Sequence, residues 1–111
     1  MIKYEIKNDT TLEIQGNQIK FDYDINNIIE NKNVLIVHLF VKKGKPPLNN
    51  IYAISDKGDI IWNIRDFVQE DYCYTGISVD DNGNLIANTF IGIAQIIDVK
   101  NKKLVGRKVT K

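Results

Sequence analysis

The stretch Asn50–Ile64, Asn-Ile-Tyr-Ala-Ile-Ser-Asp-Lys-Gly-Asp-Ile-Ile-Trp-Asn-Ile, constrains the chain more than any other. Two runs rich in β-branched and aromatic residues, Ile51–Ser55 and Ile60–Ile64, flank Asp56-Lys57-Gly58-Asp59, where Gly58 can supply the positive φ that a tight turn demands. This pattern predicts a β-hairpin. It also sets the rule for the remaining segments, which are short apolar runs separated by Asn, Asp and Gly.

Met1–Lys7 alternates Ile2, Tyr4 and Ile6 against Lys3, Glu5 and Lys7, the pattern of a half-buried strand. Thr11–Gln15 and Gln18–Asp24 continue it, with turns at Asn8-Asp9-Thr10 and Gly16-Asn17. Ile25–Asn33 carries four asparagines and no clean helical stripe, so it reads as irregular. Val34–Val41 is apolar on both faces and predicts a central strand covered on both sides. Lys42–Asn49 holds both prolines and a glycine between lysines, which marks an exposed, stiffened loop. Arg65–Tyr72 is a longer connection with room for one short helical turn. Tyr74–Val79, Asn84–Phe90, Ala94–Val99 and Leu104–Val109 then follow as four more strands. Strands at such regular spacing mean an all-β domain of antiparallel sheets, with more than about a third of its residues in strands.

At 111 residues the chain is long enough for a single domain that buries roughly 65% of the surface its unfolded form exposes. Fifteen basic and fourteen acidic side chains are interspersed without blocks, so neither nucleic acid nor an anionic membrane is an expected partner. The longest apolar run, Val34–Val41, is far short of the roughly 20 residues of a membrane helix. A single cysteine, Cys73, and an N-terminus without signal-peptide character lead to a cytoplasmic expectation. The abundance of Ile, Lys and Asn, all read from A/T-rich codons, points to a low-GC bacterium or its phage.

The second half of the chain repeats the first. Leu35-Ile36 and Phe40 fall on Leu85-Ile86 and Phe90, Ile51–Lys57 falls on Ile96–Lys102, and Ile60-Ile61 falls on Leu104-Val105. A period of about 45 to 50 residues with four strands per copy is the size of a propeller blade. Tyr52-Ala53, Asp56, Gly58 and Trp62 resemble the tryptophan-docking pattern of quinoprotein-type β-propeller blades, and Gly76–Leu85 is similar to the opening of an NHL-type blade. The resemblance implies two blade-like repeats, at approximately 17–64 and 74–109, preceded by an N-terminal hairpin. A closed propeller takes roughly four to eight blades, so a monomeric ring is excluded by length. The expected architecture is a β-sandwich or a homo-oligomer in which protomers complete a propeller-like assembly.

The candidate chemistry weighs toward structure. His38 lies in the most apolar strand with no second histidine, and a structural role outweighs a base or metal ligand. Cys73, between Tyr72 and Tyr74, lacks a neighbouring base and reads as semi-buried filler. Asp80-Asp81-Asn82-Gly83-Asn84 has oxygen ligands, but its spacing suits a turn rather than an EF-hand. Asp22 and Asp24 share a strand face that solvation explains. No catalytic residue, metal site or cofactor is expected.

The better lead is a binding surface. Phe67, Tyr72 and Tyr74 stand with Arg65 and several carboxylates in one long connection, and Lys43 stands in the proline loop. These five residues are the expected contact set. The function that follows is a non-enzymatic binding protein that sequesters or inhibits a protein partner, of immunity or phage counter-defence type. Two alternatives stand beside it: an oligomeric module holding a sugar or nucleotide signal between subunits, and a small enzyme using His38 with an aspartate.

Overall fold

The computed structural model describes residues 1–41 and 43–109. Strands hold 55% of these residues and one 3₁₀ turn, Ile64–Asp66, holds 3%, so the chain is all-β. Three antiparallel meanders follow one another. The first is β1 (Glu5–Asn8), β2 (Thr11–Ile14) and β3 (Asn17–Lys20); the second is β4 (Asp24–Asn31), β5 (Val34–Phe40), β6 (Ile51–Ile54) and β7 (Ile60–Asn63). The third is β8 (Tyr74–Val79), β9 (Leu85–Thr89), β10 (Ile93–Asp98) and β11 (Lys103–Val109).

The sheets stack face to face, with the second in the middle. Strand alternation sends Leu35, Val37 and Leu39 of β5 toward the first sheet, where they meet Leu12, Ile14, Ile19 and Phe21. Ile36 points the other way, together with Ile51, Ala53 and Trp62, against Tyr74, Ile77, Leu85, Ala87 and Ile97 of the third sheet. The two-sided apolar character of Val34–Val41 therefore reflects two separate cores. Leu35, Ile36 and Val37 are fully buried, each contributing about 1.5–3 kcal/mol of transfer free energy.

Three expectations are corrected. Residues 25–33 are not irregular: β4 pairs along the whole of β5, from Asp24↔Phe40 to Asn31↔Val34. A bulge between Ile25 and Asn27 shifts the side-chain parity, so Ile25 and Ile28 pack on one core and Ile29 on the other, which hides the period of two. The N-terminal unit is the three antiparallel strands that its alternation and two turns imply, not the hairpin left by starting the first repeat at residue 17, because β3 pairs with β2. That repeat begins at β4. The β2–β3 turn also lies one residue earlier than expected, at Gln15-Gly16 with φ of 51° and 80°, the two positive values of a type I′ hairpin.

The two ends of the stack differ. At one end the connections are tight and dock on each other: Asn17 Nδ2 donates to Lys57 O at 2.8 Å, and Asn31 Nδ2 to Gly83 O at 3.2 Å. Gly58 has φ of +90°, and a Cβ there would stand 3.1 Å from Cβ of Asn17, so the turn needs glycine for both its backbone and its neighbour. At the opposite end lie the longer connections, residues 43–50 and 64–73, with the β9–β10 turn beside them.

Candidate binding surface at the long-loop end

The two loops singled out from the sequence form one surface. Asn49 N–H donates to Tyr72 O at 2.8 Å, and its side-chain amide donates to Asp71 Oδ1 at 2.9 Å. Arg65 Nε–H donates to the same Asp71 oxygen at 2.9 Å. The Asn49 amide, followed by the Arg65 guanidinium, holds the Asp71 carboxyl below the ordinary aspartate range. Asn63 fixes the base of the arrangement: its amide nitrogen donates to Asn49 O at 2.7 Å, and its Oδ1 caps the 3₁₀ turn by accepting from Arg65 N–H at 2.9 Å.

Between these loops and the β9–β10 turn lies a groove of about 290 Å³, lined by Pro46, Leu48, Asp71, Tyr72, Cys73, Thr89, Phe90 and Ile91. Phe90 N–H donates to Cys73 O at 3.0 Å, which ties the turn to the loop. Leu48, Phe90 and Ile91 are 51%, 73% and 54% exposed. Large apolar side chains at a turn tip carry a solvation cost that a polar turn avoids, and contiguous ones mark contact sites. A larger cleft of about 540 Å³ lies at the tight-turn end, but its lining of Lys3, Gln15, Glu30, Asn33 and Asp56 beside Met1 and Ile2 offers no comparable apolar anchor.

Of the five expected contact residues, Tyr72 lines the groove, Arg65 braces it through Asp71, and Lys43 is exposed on the first loop. Two are corrected. Tyr74 is wholly buried between the second and third sheets, because it is the first inward residue of β8. Phe67 packs edge-on against Trp62, with ring centroids 4.9 Å apart, and belongs to the rim of the core. Leu48, Phe90 and Ile91 were missed. The legible signal was Phe90-Ile91 at a two-strand turn, where polar residues are the rule.

His38 and Asn50 make a clasp below this surface. His38 Nε2–H donates to Tyr74 O at 2.7 Å, and Nδ1 accepts from the Asn26 amide at 3.1 Å, which fixes the neutral tautomer. Asn50 Nδ2 donates to Leu39 O at 2.6 Å and to Tyr74 O at 2.8 Å, while its Oδ1 accepts from Tyr74 N–H at 2.8 Å. The middle and third sheets are thereby joined by a bridge of strand-like polarity.

Burial lowers the His38 pKa, and the bond to Tyr74 only partly opposes this. The unfolded chain, with an ordinary histidine pKa near about 6.5, then takes up a proton before the native state does, so stability is full above that value and declines as pH falls toward the native pKa. Urea midpoints are expected to fall between pH 7.5 and 5.5 with a limiting slope of about 1.4 kcal/mol per pH unit, and His38→Gln should flatten that fall. An equally steep fall in the variant would assign the proton uptake elsewhere.

Asp80 has a turn role: its Oδ1 accepts from the backbone N–H of Asn82 and of Asn84, both at 2.9 Å. Asp22 and Asp24 are exposed. Among the described residues, no group of three or more His, Cys, Asp or Glu is placed to hold a metal ion, and no helix is long and apolar enough to cross a membrane.

A family model described as a domain of unknown function (DUF7957) matches residues 1–109, and the chain belongs to that family. No curated protein and no solved structure matches it.

Proposed function

We propose that the protein is a non-enzymatic binding module that sequesters or inhibits a protein partner through the long-loop end of its sheet stack. The observation that carries this reading is the exposed apolar set Leu48, Phe90 and Ile91 around a groove whose walls are already hydrogen-bonded in place. Preformed walls lose little entropy on docking, so more of the contact energy appears as affinity. A groove of about 290 Å³ falls at the lower edge of the range for small-molecule sites and suits one or two anchoring side chains of a partner. An inhibitor of immunity or counter-defence type would act here by covering part of its target with this surface.

A second copy of the chain is one candidate partner, since Phe90 and Ile91 are exposed apolar side chains that a further protomer would cover. Sedimentation at tens of micromolar tests this case: wild type should associate, and Phe90→Ser should shift it toward monomer. For a different partner, Leu48→Ser and Phe90→Ser should each weaken binding about tenfold or more, with unchanged melting temperature. Phe67→Ala should act on stability instead, because its ring rests on Trp62. Full affinity in both surface variants, with loss on substituting Lys57 at the opposite end, would overturn the reading.

A further inference from the structure

Tyr74, Gln95 and Arg107 face inward on two adjoining rungs of the third sheet, which together make one tier of its inner face. Gln95 stands opposite Arg107 on β11 and opposite Ala87 on β9, and Tyr74 stands opposite Thr89, the neighbouring inward position of β9. Arg107 Nε–H donates to Gln95 Oε1 at 3.0 Å, which fixes the orientation of the amide. Arg107 Nη2 donates to both oxygens of Glu70, at 3.0 and 2.9 Å. The other end of the amide, Gln95 Nε2, and the Tyr74 hydroxyl have no hydrogen-bond partner among the described residues, although both side chains are fully buried. Buried polar groups are paired in the great majority of cases, and an orphan of this kind calls for an explanation.

The strand pairing sets Tyr74 and Gln95 at neighbouring inward positions, so the two orphan donors lie on the same face of the sheet as Arg107. Glu70 belongs to the irregular part of the 64–73 connection, and the side chains of Glu70 and Arg107 are about half exposed. An ion pair that wet contributes little and opens at little cost. Its carboxylate is held by Arg107 and by its own backbone N–H, while two further donors in the tier stay unused.

We propose that Glu70 is a removable latch over a carboxylate-binding site. When it swings aside, the Arg107 guanidinium, Gln95 Nε2–H and the Tyr74 hydroxyl receive the carboxylate of a ligand, and the two buried donors gain the partner they lack. The carboxylate class follows from Glu70 itself, a carboxylate already seated on the arginine, and from the match between guanidinium and carboxylate geometry. The proposal stands on this tier and is independent of the groove between Leu48 and Phe90.

The test is a titration of ¹⁵N-labelled protein followed by NMR, with sodium acetate and a capped Gly-Glu-Gly peptide as ligands at constant ionic strength. Wild type, Glu70→Gln and Glu70→Gln/Arg107→Met are compared, with chloride and inorganic phosphate as control anions. Glu70→Gln should bind acetate at least tenfold more tightly than wild type, with shifts at the Gln95 side-chain amide and the Arg107 Nε–H, and the double variant should lose that binding. Tighter binding of the peptide assigns the site to an acidic side chain of a partner, and tighter binding of acetate to a free organic acid; either upholds it. Equal binding of chloride or phosphate, or acetate affinity in Glu70→Gln no greater than in wild type or in the double variant, would overturn it. Wild type provides a check that needs no variant to fold: high acetate must displace the Gln95 amide signal, and no displacement would also overturn the proposal.

Discussion

Trp62→Ala is expected to lower the free energy of unfolding by about 3–5 kcal/mol, a large part of the roughly 5–15 kcal/mol available to a domain of this size. The indole is 4% exposed. It stands opposite Ala53, whose small side chain leaves room for it, and packs with Ile36, Ile51, Ile64 and Val68 in the core between the second and third sheets. Phe67 closes over it edge-on. Truncation removes the largest side chain of this core and leaves a cavity that sheets on both sides cannot collapse to fill. Urea unfolding followed by Tyr fluorescence and far-ultraviolet dichroism gives the value. A midpoint within error of wild type would remove Trp62 from the core's energetics.

The second large effect is expected at Asn50, where Asn50→Ala should cost about 2–4 kcal/mol. This asparagine satisfies Tyr74 N–H and shares in satisfying the carbonyls of Leu39 and Tyr74, all at the buried junction of two sheets. Alanine creates little cavity, so the cost arises from polar groups left without partners in a medium of low dielectric. Asn50→Asp separates the two contributions. Aspartate keeps the acceptor for Tyr74 N–H but turns the donor toward the carbonyls into a second acceptor, and it should be at least as destabilising as alanine. An aspartate variant as stable as wild type would show that the donated bonds contribute nothing.

These two positions also show what a sequence discloses. Trp62 and the Val34–Val41 strand were legible because burial leaves a mark in composition: a strand covered twice is apolar at every position. The strand at residues 24–31 was not, since one inserted residue at its bulge puts Ile25 and Ile28, an odd number of positions apart, on the same face and mimics an irregular segment. The two long connections stood out in the sequence through Pro46-Pro47 and the aromatic-charged run, and the Asn49–Tyr72 hydrogen bond sets them side by side. Which aromatics faced out was not legible, because Tyr74 belongs to the first pair of β8 rather than to the loop. Asn50, Gln95 and Arg107 left no signal at all. Their roles depend on partners across a sheet or between sheets, 11 to 37 residues away in sequence, and nothing local encodes such a pairing.

The central claim is that the long-loop end of the stack is the working surface. Hydrogen–deuterium exchange of the protein alone and in its partner complex tests it most directly, since both ends of every strand are read in one experiment. The account predicts new protection in residues 46–49, 71–73 and 89–91, with the turns at 55–59, 80–84 and 99–102 unchanged. Protection confined to those tight turns, with the groove around Leu48, Tyr72 and Phe90 exchanging as in the free protein, would contradict it.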